Sequence, residues 1–198
     1  MTEEQGSRGA GGRPVATTHA AIEQATFRLF RERGFEGTTL DDIAREVGVS
    51  RRTLFRYFPS KNDIAWGQFD RTLETFRETL ATMPEELPLH EAVHRAVVAF
   101  NVYDEHADPP HRERMHLILT TPALSAHSVH RYADWRAVIA EYVAARRGLA
   151  PTDPLPEVVS QVALALALSA YTLWLREPGP SLRRRLEDAL LDLRAYLA

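Results

Sequence analysis

Between Thr17 and Asp63 the chain sets helix starts and stops so close together that only short helices fit between them. Thr17 or Thr18 can cap a first helix whose apolar side is Ile22, Ala25, Leu29 and Phe30 and which ends before Gly34. Thr39 opens a second, with Asp42 three residues on as a short capping box; Leu40, Ile43 and Val47 form its inner stripe and Gly48 stops it. Ser50 caps a third over 51–57. Pro59-Ser60 closes that helix and opens a fourth, with Ser60 and Asp63 at cap positions. Periodicity carries the fourth to about Thr82, with Trp66, Phe69, Leu73, Phe76 and Leu80 inward. Breaks at Pro84–Pro88, Asp108–Pro110, Pro122, Pro151–Pro156 and Pro178–Pro180 divide the remainder into about five helices. No strand-like alternation of useful length interrupts this pattern. The expected fold is all-α, with about nine helices.

Composition narrows the function. An apolar share of 44% in 198 residues suits a globular chain, and the absence of Cys excludes disulfides, thiolate metal sites and a cysteine nucleophile. The net charge of −3 is unevenly spread: residues 1–63 hold 10 Lys+Arg against 9 Asp+Glu, and the rest 14 against 18. Within the more basic part, positions 51–61 carry Arg51, Arg52, Arg56 and the chain's only Lys, Lys61, with no acid. An acidic body with one basic element suits a protein that meets phosphates through a small patch. Residues 1–16, Gly-rich and without apolar periodicity, read as a flexible arm whose Arg8 and Arg13 could follow a DNA groove. With no charged-then-apolar leader, a cytoplasmic location is expected. Val158 to Leu175 is uncharged for 18 residues, the lower bound for a membrane span. Ser160, Gln161, Ser169, Tyr171 and Thr172 within it favour instead a helix buried in protein or at a subunit interface.

The second and third helices, joined by Gly48-Val49-Ser50, form a helix-turn-helix. Leu54 belongs to its core, which leaves Arg51, Arg52, Thr53, Arg56 and Tyr57 on or near the outer surface. The second helix of such a motif lies in the major groove, where Arg can grip guanine O6 and N7 and a Thr methyl can meet a thymine methyl. Helix starts at Thr39 and Ser50 offer backbone N–H groups to phosphates, and Lys61 is placed to hold the DNA backbone. These readings define a DNA-binding unit over 17–63 and a second unit over 64–198.

The run FRERGFEGTTLDDIAREVGVSRRTLFRYFPSKNDI resembles the DNA-binding domain of TetR-family transcriptional regulators, whose ERGF, TT, IA, GVS, TL and YFPSK elements occur here in the same order and spacing. The later phrases AVVAFN and HRERMHLILTTPALSAHSVHRYADWRAVIAEYVAARRGL resemble the branch of that family associated with mycofactocin biosynthesis in actinobacteria. The resemblance implies a homodimeric repressor on a palindromic DNA operator. Helices one to three would bind DNA, helices four to seven enclose an effector, and the last two pair with a partner copy. Thr39, Ser50, Arg51, Arg52, Thr53, Tyr57 and Lys61 occupy the family's DNA-facing places. Phe55 departs from the Tyr common there, so no hydroxyl is offered at that position.

Inner faces of the later helices carry candidates for an effector cavity. Trp66, Phe69 and Phe76 belong to the fourth helix, and Phe100, Asn101 and Tyr103 follow the next. Met115, Leu119, Tyr132 and Trp135 come from the middle of the chain, and Tyr171 and Trp174 from the uncharged stretch. Ordinary core packing is the better explanation of any single one of them; the resemblance turns the set, though not its individual members, into a pocket. A long apolar or acyl ligand, such as an acyl-CoA, is expected, with Arg112, Arg114 and Arg131 to meet its phosphates. Two other classes compete. His90-Glu91-Ala92-Val93-His94 spells the zinc-hydrolase pattern H-E-x-x-H, and Glu113 could be its third ligand. Against it, Arg95 stands where such helices carry an uncharged residue. A helical dimer acting as an adaptor without DNA is the other rival. His127 and His130 share a helix face but have no completing ligand, Asp41-Asp42 suit the start of a helix dipole, and Arg183–Arg185 read as a solvated face. No cofactor and no resident metal are expected.

Overall fold

The computed structural model describes residues 17–198 apart from Glu105; the expected arm over 1–16, with Arg8 and Arg13, lies outside the described residues. Ten helices are found among them: α1 His19–Arg33, α2 Leu40–Val47, α3 Arg51–Tyr57, α4 Lys61–Trp66, α5 Phe69–Ala81, α6 Leu89–Phe100, α7 His111–Thr120, α8 Pro122–Arg147, α9 Pro154–Arg176 and α10 Leu182–Leu197. The expected all-α class holds. The number differs by one because the predicted fourth helix is two helices, α4 and α5, broken at Gly67-Gln68.

The early helix starts form as local chemistry dictates. Thr18 accepts from the Ala21 N–H, Ser50 from Thr53 and Ser60 from Asp63. At α2 the capping box is complete: Thr39 Oγ1 accepts from the Asp42 N–H while the Asp42 carboxylate accepts from the Thr39 N–H, both at 3.1 Å. Gly48 ends α2 in the left-handed region, with φ 74° and ψ 31°.

Two hydrophobic clusters result. The smaller gathers Ile22, Leu29, Ile43, Leu54, Phe58 and Ile64 from α1 to α4. The larger is built from α5 to α10 and also takes Phe27 and Phe30 from α1 and Ala65 and Trp66 from α4. Helices α1 and α4 therefore serve both cores, with opposite faces of α1 buried in different clusters.

Gly67 causes the break after α4. Its φ of 65° with ψ −143° is a conformation glycine tolerates, and its N–H caps the helix on the carbonyls of Asp63 and Ile64. A Cβ there would stand 2.8 Å from Arg114 Nη1 and 2.9 Å from Glu23 Oε2. Apolar periodicity runs unbroken across this point, which is why it extends the helix in the sequence reading. The ion pair that the missing side chain makes room for comes from residues 44 positions upstream and 47 downstream.

Helix α9 buries Pro156, Ala163, Ala167, Ala170 and Tyr171 against its neighbours, chiefly α8 and α10. Its length and hydropathy alone would also suit a membrane span. Val158, Val162 and Leu173 on α9 and Leu191, Tyr196 and Leu197 on α10 remain exposed. Gly67→Ala is expected to destabilise the fold by about 1–3 kcal/mol through backbone strain and displacement of the ion pair, measured by urea unfolding.

Candidate DNA-reading surface and effector cavity

The α2–α3 turn fixes the reading surface. Val49 N–H donates to Ala44 O at 2.9 Å, and Leu54 is fully buried beneath α3. That leaves Arg51, Arg52, Phe55 and Arg56 exposed in a row, with Thr53 half-buried among them. The arginines differ in how they are held. Arg51 pairs with Asp41 at 3.4 Å and lies over the Phe55 ring, 5.5 Å from its centroid. Arg56 lies over Tyr57, also at 5.5 Å. Arg52 makes no ion pair among the described residues.

The five other predicted DNA-facing residues have intramolecular partners. Ser50 and Thr53 hydroxyls meet at 2.9 Å. Thr39 Oγ1 sits 2.5 Å from Asp42 Oδ2; that hydroxyl, then the Thr39 N–H and Arg45, hold the Asp42 carboxyl down at about 2. Tyr57 donates its hydroxyl to Thr17 O at 2.8 Å, so only its oxygen remains to accept. Lys61 donates to the carbonyls of Phe35 and Thr38 at 2.7 and 2.9 Å, and its ammonium stands 4.1 Å from the Phe35 ring centroid. Lys61 thus anchors the α1–α2 loop, and burial lowers its pKa. Two of its three N–H groups are already engaged.

A cavity of about 290 Å³ lies beside the α4–α5 joint, walled by α7, α8 and α9. Of the twelve residues assigned to it from sequence, nine line it: Trp66, Phe69, Phe100, Asn101, Tyr103, Met115, Tyr132, Trp135 and Tyr171. Phe76, Leu119 and Trp174 do not. Phe76 is core behind the wall, stacked 5.5 Å from Trp135; Leu119 packs against the larger cluster; Trp174 stacks on the outer side of His111 at 6.1 Å. Arg114, expected to meet a ligand's phosphates, lines the cavity too, and Glu23, Gly67, His111, Leu164 and Leu168 do so without having been assigned to it. Of these, Glu23 left a trace in the sequence: it is a charge on the α1 face that carries Phe27 and Phe30.

At one end of the cavity the hydrogen atoms can be assigned. Asn101 Nδ2 donates to Val97 O at 2.8 Å, which points Oδ1 at Tyr171. Tyr171 donates to that oxygen at 2.5 Å, so the 2.7 Å contact with His111 must run from His111 Nε2–H to the Tyr171 oxygen. Burial, aided by the Arg114 charge, pushes His111 down to about 3, and burial raises Tyr171 well above the usual phenol value. This end is polar and neutral. Charge enters elsewhere on the wall, where Arg114 Nη2 meets Glu23 Oε2 at 2.5 Å and Arg114 Nη1 donates to Ala65 O at 2.8 Å.

The other two candidate phosphate arginines lie away from the cavity. Arg112 donates to Leu175 O and covers Trp174; Arg131 joins Asp63 at 2.6 Å and Asp70 at 2.8 Å. Nor is the zinc triad assembled. Glu91 pairs with Arg95, His94 is half-buried on the side of Glu187 and Arg194, and Glu113 is held by Arg31 at 2.9 Å. His127 contacts Asp63 at 3.1 Å while His130 is exposed. No group of three potential ligands that could hold a metal occurs among the described residues.

A short basic reading helix on a helical body that holds an aromatic-lined cavity defines a helix-turn-helix transcriptional regulator. Residues 22–65 match the family of bacterial regulatory proteins of the tetR type, and 87–198 match the MftR C-terminal domain. The chain belongs to the TetR family of transcriptional regulators. It is 44% identical over 178 residues, 90% of each chain, to a Mycobacterium tuberculosis protein provisionally named mycofactocin biosynthesis transcriptional regulator MftR. It is 33% identical over 144 residues to the regulator TcmR of Streptomyces glaucescens, covering 69% of this chain and 63% of that one. Among solved structures, Thermus thermophilus FadR in complex with lauroyl-CoA superposes with TM-score 0.55 at 23% identity, covering 87% of this chain and 91% of that one. The SmeT–triclosan complex gives 0.56 at 18%, covering 88% and 90%. These two likenesses concern the fold.

The buried neutral His111 has a consequence for stability. Its folded pKa lies below the ordinary 6.5, so the unfolded chain binds the extra proton as pH falls from 6.5 towards 3. Stability is complete above pH 6.5 and decreases with acid. His94, also lowered by burial, acts in the same direction. Thermal melting between pH 7 and pH 4.5 is expected to show a shallower acid slope in His111→Gln than in the natural chain.

Proposed function

We propose that the protein is a ligand-responsive repressor that binds a palindromic operator as a homodimer and leaves it when a small apolar or acyl-type effector fills the cavity. The observation that carries this reading is the cavity's position against the α4–α5 joint, with α4 sharing the core of the reading head. Residues 17–63 form the DNA-binding unit and 64–198 the effector and dimerisation unit, acting in the cytoplasm where the operator lies.

Arg52 is the foremost base reader, because among the described residues it is exposed with neither an ion pair nor an aromatic ring to hold it, whereas Arg56 lies over Tyr57. Arg51, Thr53 and Arg56 flank it, and Phe55 offers a ring edge for a thymine methyl. Thr39, Ser50, Tyr57 and Lys61 serve the phosphates through their remaining hydrogen-bonding capacity and by holding the reading head in shape. Two such helices would enter successive major grooves about 34 Å apart. The exposed apolar residues of α9 and α10, Val158, Val162, Leu173, Leu191, Tyr196 and Leu197, supply the face on which a second copy pairs.

Two observations support an acyl-type effector: the aromatic lining, and the lauroyl-CoA bound by Thermus thermophilus FadR, which shares the fold. The effector acts by favouring an arrangement in which α4 and the reading head have shifted. Selection from random duplexes is expected to yield an inverted repeat, and lauroyl-CoA, but not CoA alone, to release the protein from it. Arg52→Ala should erase preference at one base position, by about 1–3 kcal/mol. Lys61→Met should weaken binding on every sequence and flatten the salt slope. Sequence-selective binding left unchanged in Arg52→Ala would refute the reading helix.

A further inference from the structure

The contact between Glu23 and Arg114 joins a cavity wall to the DNA-binding half. Arg114 starts on α7 and ends among groups of that half: Glu23 on α1, the Ala65 carbonyl on α4, and the Phe27 ring of α1 at 5.0 Å from its guanidinium carbon. The two side chains are only 16% and 10% exposed, and both line the cavity. Gly67 leaves them room at the one place where the backbone turns from α4 to α5. A second α1–α7 bridge, Arg31–Glu113, sits at the surface, where solvent screens it. The inner pair is therefore the α1–α7 contact that a molecule entering the cavity would meet.

We propose that Arg114 is the effector-reading residue. An amphiphile with an anionic end, carboxylate or phosphate, takes Arg114 from Glu23 and so unfastens α1 and α4 from the effector domain. This rests on the cavity being the effector site. Chemistry favours an anion over a cation. A cation taking Glu23 would strand a guanidinium that cannot lose its charge, whereas an anion offers that guanidinium a replacement acceptor. The wall also holds a donor in need of an acceptor: the indole N–H of Trp66 is buried and donates to no group among the described residues, and an indole can only donate. The neutral His111–Tyr171–Asn101 end adds no positive charge to compete. Asp108, the other acid on the wall, stands on the α6–α7 connection. The apolar body of the ligand would lie against Phe69, Phe100 and Trp135.

Laurate, dodecyl phosphate and 1-dodecanol share one chain and differ at the head, and Trp66 and Trp135 report their entry by fluorescence. The natural protein is expected to bind one or both anions at least about tenfold more tightly than the alcohol, the ratio a charge-assisted hydrogen bond supplies. Comparing the two anions distinguishes carboxylate from phosphate. Arg114→Met should abolish the preference and Arg114→Lys retain part of it. Glu23→Gln, nearly isosteric and still able to accept, should bind the anion several-fold more tightly while releasing the selected operator less in response to it. An anion preference surviving in Arg114→Met, or a Glu23→Gln protein that responds like the natural one, would overturn the proposal while leaving the cavity assignment standing. Fluorescence unmoved by all three probes would overturn both.

Discussion

The structure turns on a joint in which a charged pair replaces a side chain. Gly67 has none, and the space is filled by Arg114 and Glu23, brought from α7 and α1. A nearly buried ion pair adds little net stability, because desolvation offsets most of its attraction. Removing one partner strands the other, at about 3–5 kcal/mol. The pair is thus better suited to holding two parts in one relation than to stabilising either. The consequence is architectural: α1 and α4, which complete the reading head's core, are also fastened to the domain that encloses the cavity.

The other end of α4 is clamped by a different network. Asp63 lies within its first turn, accepts from the Ser60 hydroxyl at 2.6 Å and receives Arg131 at 2.6 Å and His127 at 3.1 Å from α8. Burial pushes its carboxyl up, but the Ser60 hydrogen bond and Arg131 together bring it below the usual range. Arg131 continues to Asp70 on α5, so one guanidinium spans the joint from outside while Arg114 spans it from within. A helix of six residues is thus held at both ends by groups from the larger domain.

Within that head, the basic stretch from Arg51 to Lys61 divides its charges by duty. Lys61 and Tyr57 tie the head to its own loops, and Arg51 is half engaged with Asp41 and Phe55. Arg52 and Arg56 are left to face outward. Counting positive charges along the sequence overstates how many are available for DNA, because carbonyls at the ends of neighbouring segments compete for the same donors.

Local signals determined the reading head almost completely. Thr39, Ser50 and Ser60 cap where hydroxyls can reach an N–H three residues on, and Gly48 ends α2 where only a glycine is comfortable in the left-handed region. Those contacts span a few residues, so the sequence alone contains both partners. Most of the cavity's aromatic lining was legible too, since large rings on inner faces must pack somewhere. Its membership was not: Phe76, Leu119 and Trp174 share the composition of the nine that line it, and only the rotation of each helix against its neighbours separates them. The joint at Gly67 belonged wholly to the tertiary structure. The apolar period runs across it unbroken, and the space the glycine leaves is taken by an ion pair between residues 91 positions apart. Partners so distant meet only once the chain has folded.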